Sequence, residues 1–87
     1  DGLVNKALEV EGVRMAVLAS ERDDGIKMSL RAVEPDTVND IAVLFGGGGH
    51  AQAAGCTIHA PLHEALDQVL AAMKDKLDKT PRPEGRV

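Results

Sequence analysis

The stretch Phe45-Gly46-Gly47-Gly48-Gly49-His50 is the part of this 87-residue sequence best suited to grip a ligand. Glycine loses more backbone freedom on ordering than any other residue, so an unbroken run of it is costly and calls for a use. One use is chemical. Without side chains, successive backbone amides can turn toward a bound anion as a concave nest. His50 adds a donor beside them, and a positive charge when protonated. The eighteen residues from Gly46 to His63 contain no Asp, Glu, Lys or Arg, in a chain that is 28% charged, so no carboxylate repels an anion there. Upstream, Lys27, Ser29 and Arg31 alternate along one segment, and an arginine fork suits bidentate contact with phosphate. The combination reads as a phosphate or nucleotide-end pocket formed by loop and strand. The bland alternative is a helix cap with a tight connection for the glycines and an ordinary solvated strand face for the polar residues.

Other chemistry finds less support. No Lys-Ser or Lys-Thr follows the glycines, as a Walker loop requires, and the loop follows a helix pattern where a dinucleotide fingerprint follows a strand. His59 and His63 stand at a metal-like interval, but Pro61 lies between them, and a surface or capping role fits better. Cys56 reads as a small buried hydrophobe. Neither an Asp/His set for a metal pair nor a Ser-His-Asp arrangement can be assembled. The chain reads as able to bind and not to cleave, with no catalytic and no metal-ligating residue of its own.

These residues need a scaffold, and hydrophobic spacing outlines one. Gly2 to Val10 has a short helix-like pattern. Val13 to Ser20 is apolar enough for a largely buried strand, and the polar cluster Glu21–Gly25 turns the chain. In the next strand Ile26, Met28 and Leu30 point one way, and Lys27, Ser29 and Arg31 the other, which makes a β-hairpin with one apolar face. Asp36 or Thr37 is placed to cap a helix whose Val38, Ile41, Ala42 and Phe45 form an apolar stripe. Gly46 stops it. Cys56 to Ile58 is a short strand candidate. Beyond Pro61, Leu62, Leu66, Val69, Leu70, Met73 and Leu77 mark the longest helix, with Glu64, Asp67, Lys74 and Asp75 on its wet side. The expected fold is α/β: a small mixed sheet with a β-hairpin and helices packed on it, in one domain over residues 1–78, followed by a disordered tail, 79–87.

Composition sets outer limits. The hydrophobic share of 44% supports a core made almost wholly of aliphatics, since Phe45 is the only aromatic residue. That scarcity counts against modules that stack bases on aromatic platforms. A net charge of -4 counts against coating duplex DNA or anionic membrane by bulk electrostatics, so any anionic ligand needs a local device. The single cysteine cannot form an internal disulfide, which fits a reducing, cytoplasmic setting. No segment reads as a membrane span or signal peptide. Starting at Asp1, the chain reads as a portion of a longer one.

Taken together, "FGGGGHAQAAGCTI", the preceding "KMSLRA", "DGLVN", "EGVRMAVLAS" and the later "PLHEALDQVLAAM" resemble, in order, the DHH-associated (DHHA) domain. That domain is the C-terminal substrate-binding module of DHH phosphoesterases, and the likeness is to the oligoribonuclease and phosphoadenosine-phosphate phosphatase branch, related to RecJ exonucleases. It covers roughly Asp1 to Leu77. The resemblance implies an N-terminal DHH catalytic domain, absent from this sequence, that binds two Mn²⁺ ions. It implies that this domain closes over a short RNA, a bisphosphorylated nucleoside or a linear dinucleotide. Matched residue by residue, Gly47, Gly48, Gly49 and His50 would be the loop that holds phosphate, with Ser29 and Arg31 on the strand. Ala53, Ala54 and Gly55 would permit close packing. A stand-alone nucleotide-binding module and a structural or dimerisation domain are the rival readings.

Overall fold

The computed structural model describes residues 2–81, which form three helices and a four-stranded sheet. In chain order these are α1 (Gly2–Ala7), β1 (Met15–Arg22), β2 (Gly25–Ala32), α2 (Asn39–Leu44), β3 (Gly48–His50), β4 (Ala53–Ile58) and α3 (Leu62–Lys79). The strands lie in the order β1-β2-β4-β3. The α/β class with a hairpin and packed helices is observed. All three strand pairs are antiparallel, however, so the sheet is not mixed. The β1–β2 and β3–β4 pairs are tight hairpins, and only the β2–β4 pairing spans a helix.

The alternation along β2 decides what each face of the sheet is for. Ile26, Met28, Leu30 and Ala32 are buried, and Met28 and Leu30 are fully so. Opposite them on β4 stand Ile58, Cys56 and Ala54, also buried. On β1 they face Ala19, Val17 and Met15. Against this apolar face α2 packs Val38, Ile41 and Ala42, and α3 packs Ala65, Val69 and Met73. Burying each of the Val, Ile, Leu and Met side chains contributes roughly 1.5–3 kcal/mol. β1 is an edge strand and is half-buried from Met15 to Ser20, where its composition had pointed to a largely buried one. On α3, Leu62 and Leu70 lie at the rim of the apolar stripe and are exposed, while Ala65 takes a core position. The helix includes Lys79, the first residue of the segment read as tail, and 82–87 fall outside the described residues. No helix among the described residues is long and apolar enough to cross a membrane.

The cap expected before α2 is not used. Val38 occupies the N-cap without a side-chain bond to the helix. Asp36 is engaged elsewhere: Arg14 Nε and Nη2 donate to its two carboxylate oxygens, each at 2.7 Å, and Arg14 also donates to the Thr80 carbonyl after α3. Asp36 is 9% exposed, and a carboxylate so far from water requires a partner of this bidentate kind. The hydrogen bond from Arg14, and then the Asp36 charge, hold the guanidinium pKa above its ordinary value against the effect of burial. Thr37 is likewise diverted. Its hydroxyl and carbonyl oxygens accept from Lys76 Nζ at 2.6 and 2.7 Å, and Asp40 accepts from the same ammonium at 2.6 Å. These contacts tie the start of α2 to the last turns of α3.

Two predictions follow from these pairs. Asp36→Ala should lower the unfolding free energy by about 3–5 kcal/mol, because it strands the Arg14 guanidinium; urea denaturation reads this directly, and a loss under ~1 kcal/mol would contradict the burial. For Asp40, burial raises the carboxyl pKa, but the Lys76 hydrogen bond and charge, with two backbone amides, bring it below the ordinary range. A depressed carboxylate stabilises the fold above its unfolded pKa, about 3.9, and loses that contribution as pH falls through the folded value. The melting temperature of wild type should therefore exceed that of Asp40→Asn near neutrality, with the gap closing below about pH 4.

Candidate phosphate-binding face

The second face of the sheet carries the residues that the sequence singles out. Antiparallel partners share a face, so the register can be read across all the strands. Ala16, Arg31, Ala53 and His50 form one row, and Leu18, Ser29, Gly55 and Gly48 form the next. Ser20, Lys27 and Thr57 form a third. No residue of these rows is buried, and α2 and α3 pack on the opposite face, while α1, whose buried Val4 lies outside the core cluster, rests against β1 and β2. Arg31, Ser29, Gly48 and His50, distant in sequence, are thus brought together on one face of the sheet. Arg31 and His50 flank Ala53 two strands apart, roughly 10 Å between backbones, within reach of both side chains.

Arg31 is half-buried, and its Nη1 donates to the Leu30 carbonyl at 2.9 Å. The two-residue turn after Arg22 makes Arg22–Gly25 a hydrogen-bonded pair, so odd-numbered β2 residues bond to β1 and even-numbered ones to β4. The Ala32 amide, donating to the Gln52 carbonyl at 3.1 Å on the β4 side, agrees with this phase. The Leu30 carbonyl therefore faces β4, and the tie draws the guanidinium toward Ala53 and His50.

The glycine run is not the amide nest that its composition indicates. Gly46 adopts φ +86 and ends α2 with a Schellman arrangement: its amide donates to the Val43 carbonyl at 3.0 Å, and the Gly47 amide to the Ala42 carbonyl at 2.8 Å. The Gly47 amide is thus taken by the protein itself, which corrects the expectation that it donates to phosphate. Gly48 to His50 then form β3, a strand where a loop was expected, and Cys56–Ile58 is the end of a strand that begins at Ala53. The two-residue Ala51–Gln52 turn makes His50–Ala53, and by alternation Gly48–Gly55, hydrogen-bonded pairs. Of the three amides assigned to phosphate, only that of Gly49 faces the outer edge of the sheet.

The absence of side chains matters instead. A Cβ on Gly47 would overlap the Gly55 carbonyl and stand 2.8 Å from Cys56 Cα. Gly49 has φ +146, and a Cβ there would lie 2.6 Å from Ala54 Cα. Gly48 differs: a Cβ would meet nothing within 4 Å. It lies in the row of Ser29 and Gly55, and its hydrogen keeps that floor flat.

Gln52 was not singled out by its type or spacing, yet it braces the hairpin tip. Its Nε2 donates to the Asp36 carbonyl at 2.8 Å, and the Val38 amide donates to Ala51 at 2.8 Å. His50, next to this turn, is thereby tied through Asp36 to Arg14 and the end of α3. Cys56 and His63 lie apart from the face. Cys56 is buried on the core side, and burial pushes its thiol pKa up, away from reactivity. His63 sits 3.4 Å from Asp67 on the exposed side of α3, and among the described residues no cluster of His, Cys, Asp or Glu is placed to hold a metal.

One sheet face thus carries an arginine, a serine, a histidine and a glycine floor, above a helix-backed core. The chain belongs to the DHHA1 domain family, which residues 1–79 match. It is 35% identical over 80 residues to the bifunctional oligoribonuclease and PAP phosphatase NrnA of Thermus thermophilus, covering 91% of this chain and 25% of that protein. The protein of the same name from Bacillus subtilis is 32% identical over 72 residues, covering 83% of this chain and 22% of the relative. Among solved structures, an exopolyphosphatase-related protein from Bacteroides fragilis superposes with a TM-score of 0.82 at 31% identity, over 92% of this chain and 24% of that one. The chain thus spans about a quarter of the length of the relatives it matches.

Gly49→Ala should cost about 1–3 kcal/mol from backbone strain alone, before its overlap with Ala54 is counted. A melting temperature within a degree of wild type would show that β3 does not hold this conformation.

Proposed function

We propose that this chain is the substrate-holding domain of a DHH-family phosphoesterase that hydrolyses short oligoribonucleotides or 3′,5′-bisphosphorylated nucleosides in the cytoplasm. The observation that carries the reading is the register that sets Arg31, Ser29, Gly48 and His50 on one face of the sheet. The names of the Thermus and Bacillus relatives support the substrate class. In this reading Arg31 takes the phosphate through its guanidinium fork. Ser29 and His50 donate to phosphate or sugar. The Gly48–Gly55 floor lets the ligand lie close to the backbone, and the Gly49 amide is free at the sheet edge to add a donor.

Hydrolysis belongs to an N-terminal DHH domain of the same polypeptide, working across the cleft that this face closes. Two Mn²⁺ ions there would supply an activated water. The described residues of this chain offer no ligand set for them, and its contribution is to hold and orient the substrate.

Two substitutions separate binding from folding. Arg31→Gln should weaken nucleotide binding by about 1.5–3 kcal/mol, roughly ten- to a hundredfold, as expected for a hydrogen bond to a charged group. Gly48→Ala should leave the melting temperature nearly unchanged, because its methyl meets no protein atom. The same methyl stands on the floor of the site and should lower affinity. Calorimetric titration of the chain with adenosine 3′,5′-bisphosphate measures both, and wild-type affinity in the two variants would refute the assignment.

A further inference from the structure

A groove of about 700 Å³ continues this face toward the start of β2 and reaches round to the core side, its lining including Lys27, Thr57, His59, Phe45, Cys56 and Gly48 as well as Gly55. It shares Gly48 and Gly55 with the floor beside Arg31 and His50, so the two form one continuous surface. Lys27 is exposed at its lip. Among the described residues its ammonium makes no hydrogen bond or ion pair, whereas Lys74, Lys76 and Lys79 each face a carboxylate. Its neighbours across the strands are Ser20 and Thr57, both uncharged. The carboxylates nearest in sequence, Asp23 and Asp24, line a different depression past Gly25. Lys27 stands four residues from Arg31 on the same strand face, roughly 13 Å along β2, a separation that two long cationic side chains can narrow.

We propose that this groove is a second anion subsite, in which Lys27 takes a second phosphate of a nucleotide whose first phosphate is held at Arg31 and His50. The inference rests on the reading of that face given above. It makes Lys27 a specificity residue: a ligand with two phosphates engages both cations, and a ligand with one cannot.

The test is the ratio of affinities for adenosine 3′,5′-bisphosphate and adenosine 5′-monophosphate, measured by calorimetry at fixed low salt. Wild type should bind the bisphosphate at least about tenfold more tightly, the size of one charge-assisted contact. Lys27→Gln should bring the ratio to about threefold or less. Lys6→Gln removes the same charge from α1 and should leave the ratio as in wild type, which separates a contact from the general field. The inference is overturned by a wild-type ratio near one, a ratio that survives Lys27→Gln, or an equal loss in Lys6→Gln. If Arg31→Gln weakens both ligands while Lys27→Gln keeps the ratio, the primary site stands and the second subsite falls. If Arg31→Gln weakens neither, or if neither ligand binds wild type, both fall.

Discussion

The register between β2 and β4 is the constraint on which the site depends. A slip of one residue would move every β2 side chain to the opposite face, sending Ser29 and Arg31 into the core and Met28 and Leu30 into solvent. The cost of exposing two fully buried side chains and burying a guanidinium holds the pairing in place. The candidate face is thus specified from beneath. The apolar residues that never meet a ligand decide which polar residues can.

A second device carries that order to the end of the hairpin, where packing is thin. β3 spans three residues, Gly48–His50, and has neither an apolar side chain to bury nor a second neighbouring strand. Hydrogen bonding does the work instead. The Schellman end of α2 sets where β3 begins, and the Ala51–Gln52 turn is bonded to the segment between β2 and α2. That segment is held by the Arg14–Asp36 pair, which also reaches the close of α3. A buried ion pair is an uncertain source of stability, since desolvation offsets most of its attraction. Its contribution here is geometric. It joins β1, the β2–α2 connection and α3, and through Gln52 it sets the position of His50.

How much of this could be read from the residues varies with the kind of interaction. The β2 alternation, the buried Cys56, the α2 stripe and the Gly46 stop depend on local period or backbone chemistry, and these were legible. Asp36 was misread because capping is the local use of an aspartate before a helix, while its partner Arg14 is 22 residues away. Composition pointed to a buried β1 because it does not reveal which strand lies at an edge. The glycine run misled in a similar way, because bare amides suit both a phosphate nest and a close strand pairing, and only the positions of β4 and α2 decide. Gln52 gave no signal, since its role depends on a carbonyl that folding brings near. Matching the run to the family signature marked out a candidate site, but did not tell which amides remain free there.

Charge placement explains how a chain of net charge -4 can present a surface for an anion. Among the described residues the acidic ones lie on α3, at the β1–β2 turn, at Glu9 and Glu11 between α1 and β1, at Glu34 before α2 and in the Arg14 and Lys76 pairs, where they are solvated or matched. The sheet face holds Lys27, Arg31 and His50, and none of its inter-strand rows contains a carboxylate. Exposed charges beyond a Debye length of about 8 Å are largely screened at physiological ionic strength, so a ligand at the face responds to these near groups far more than to the net charge. Selectivity on such a surface follows from the number and spacing of its cations. A face with Arg31 and Lys27 on one strand edge of a flat floor is therefore better suited to reading how phosphates are spaced along a short ligand than to holding a long polyanion through bulk attraction.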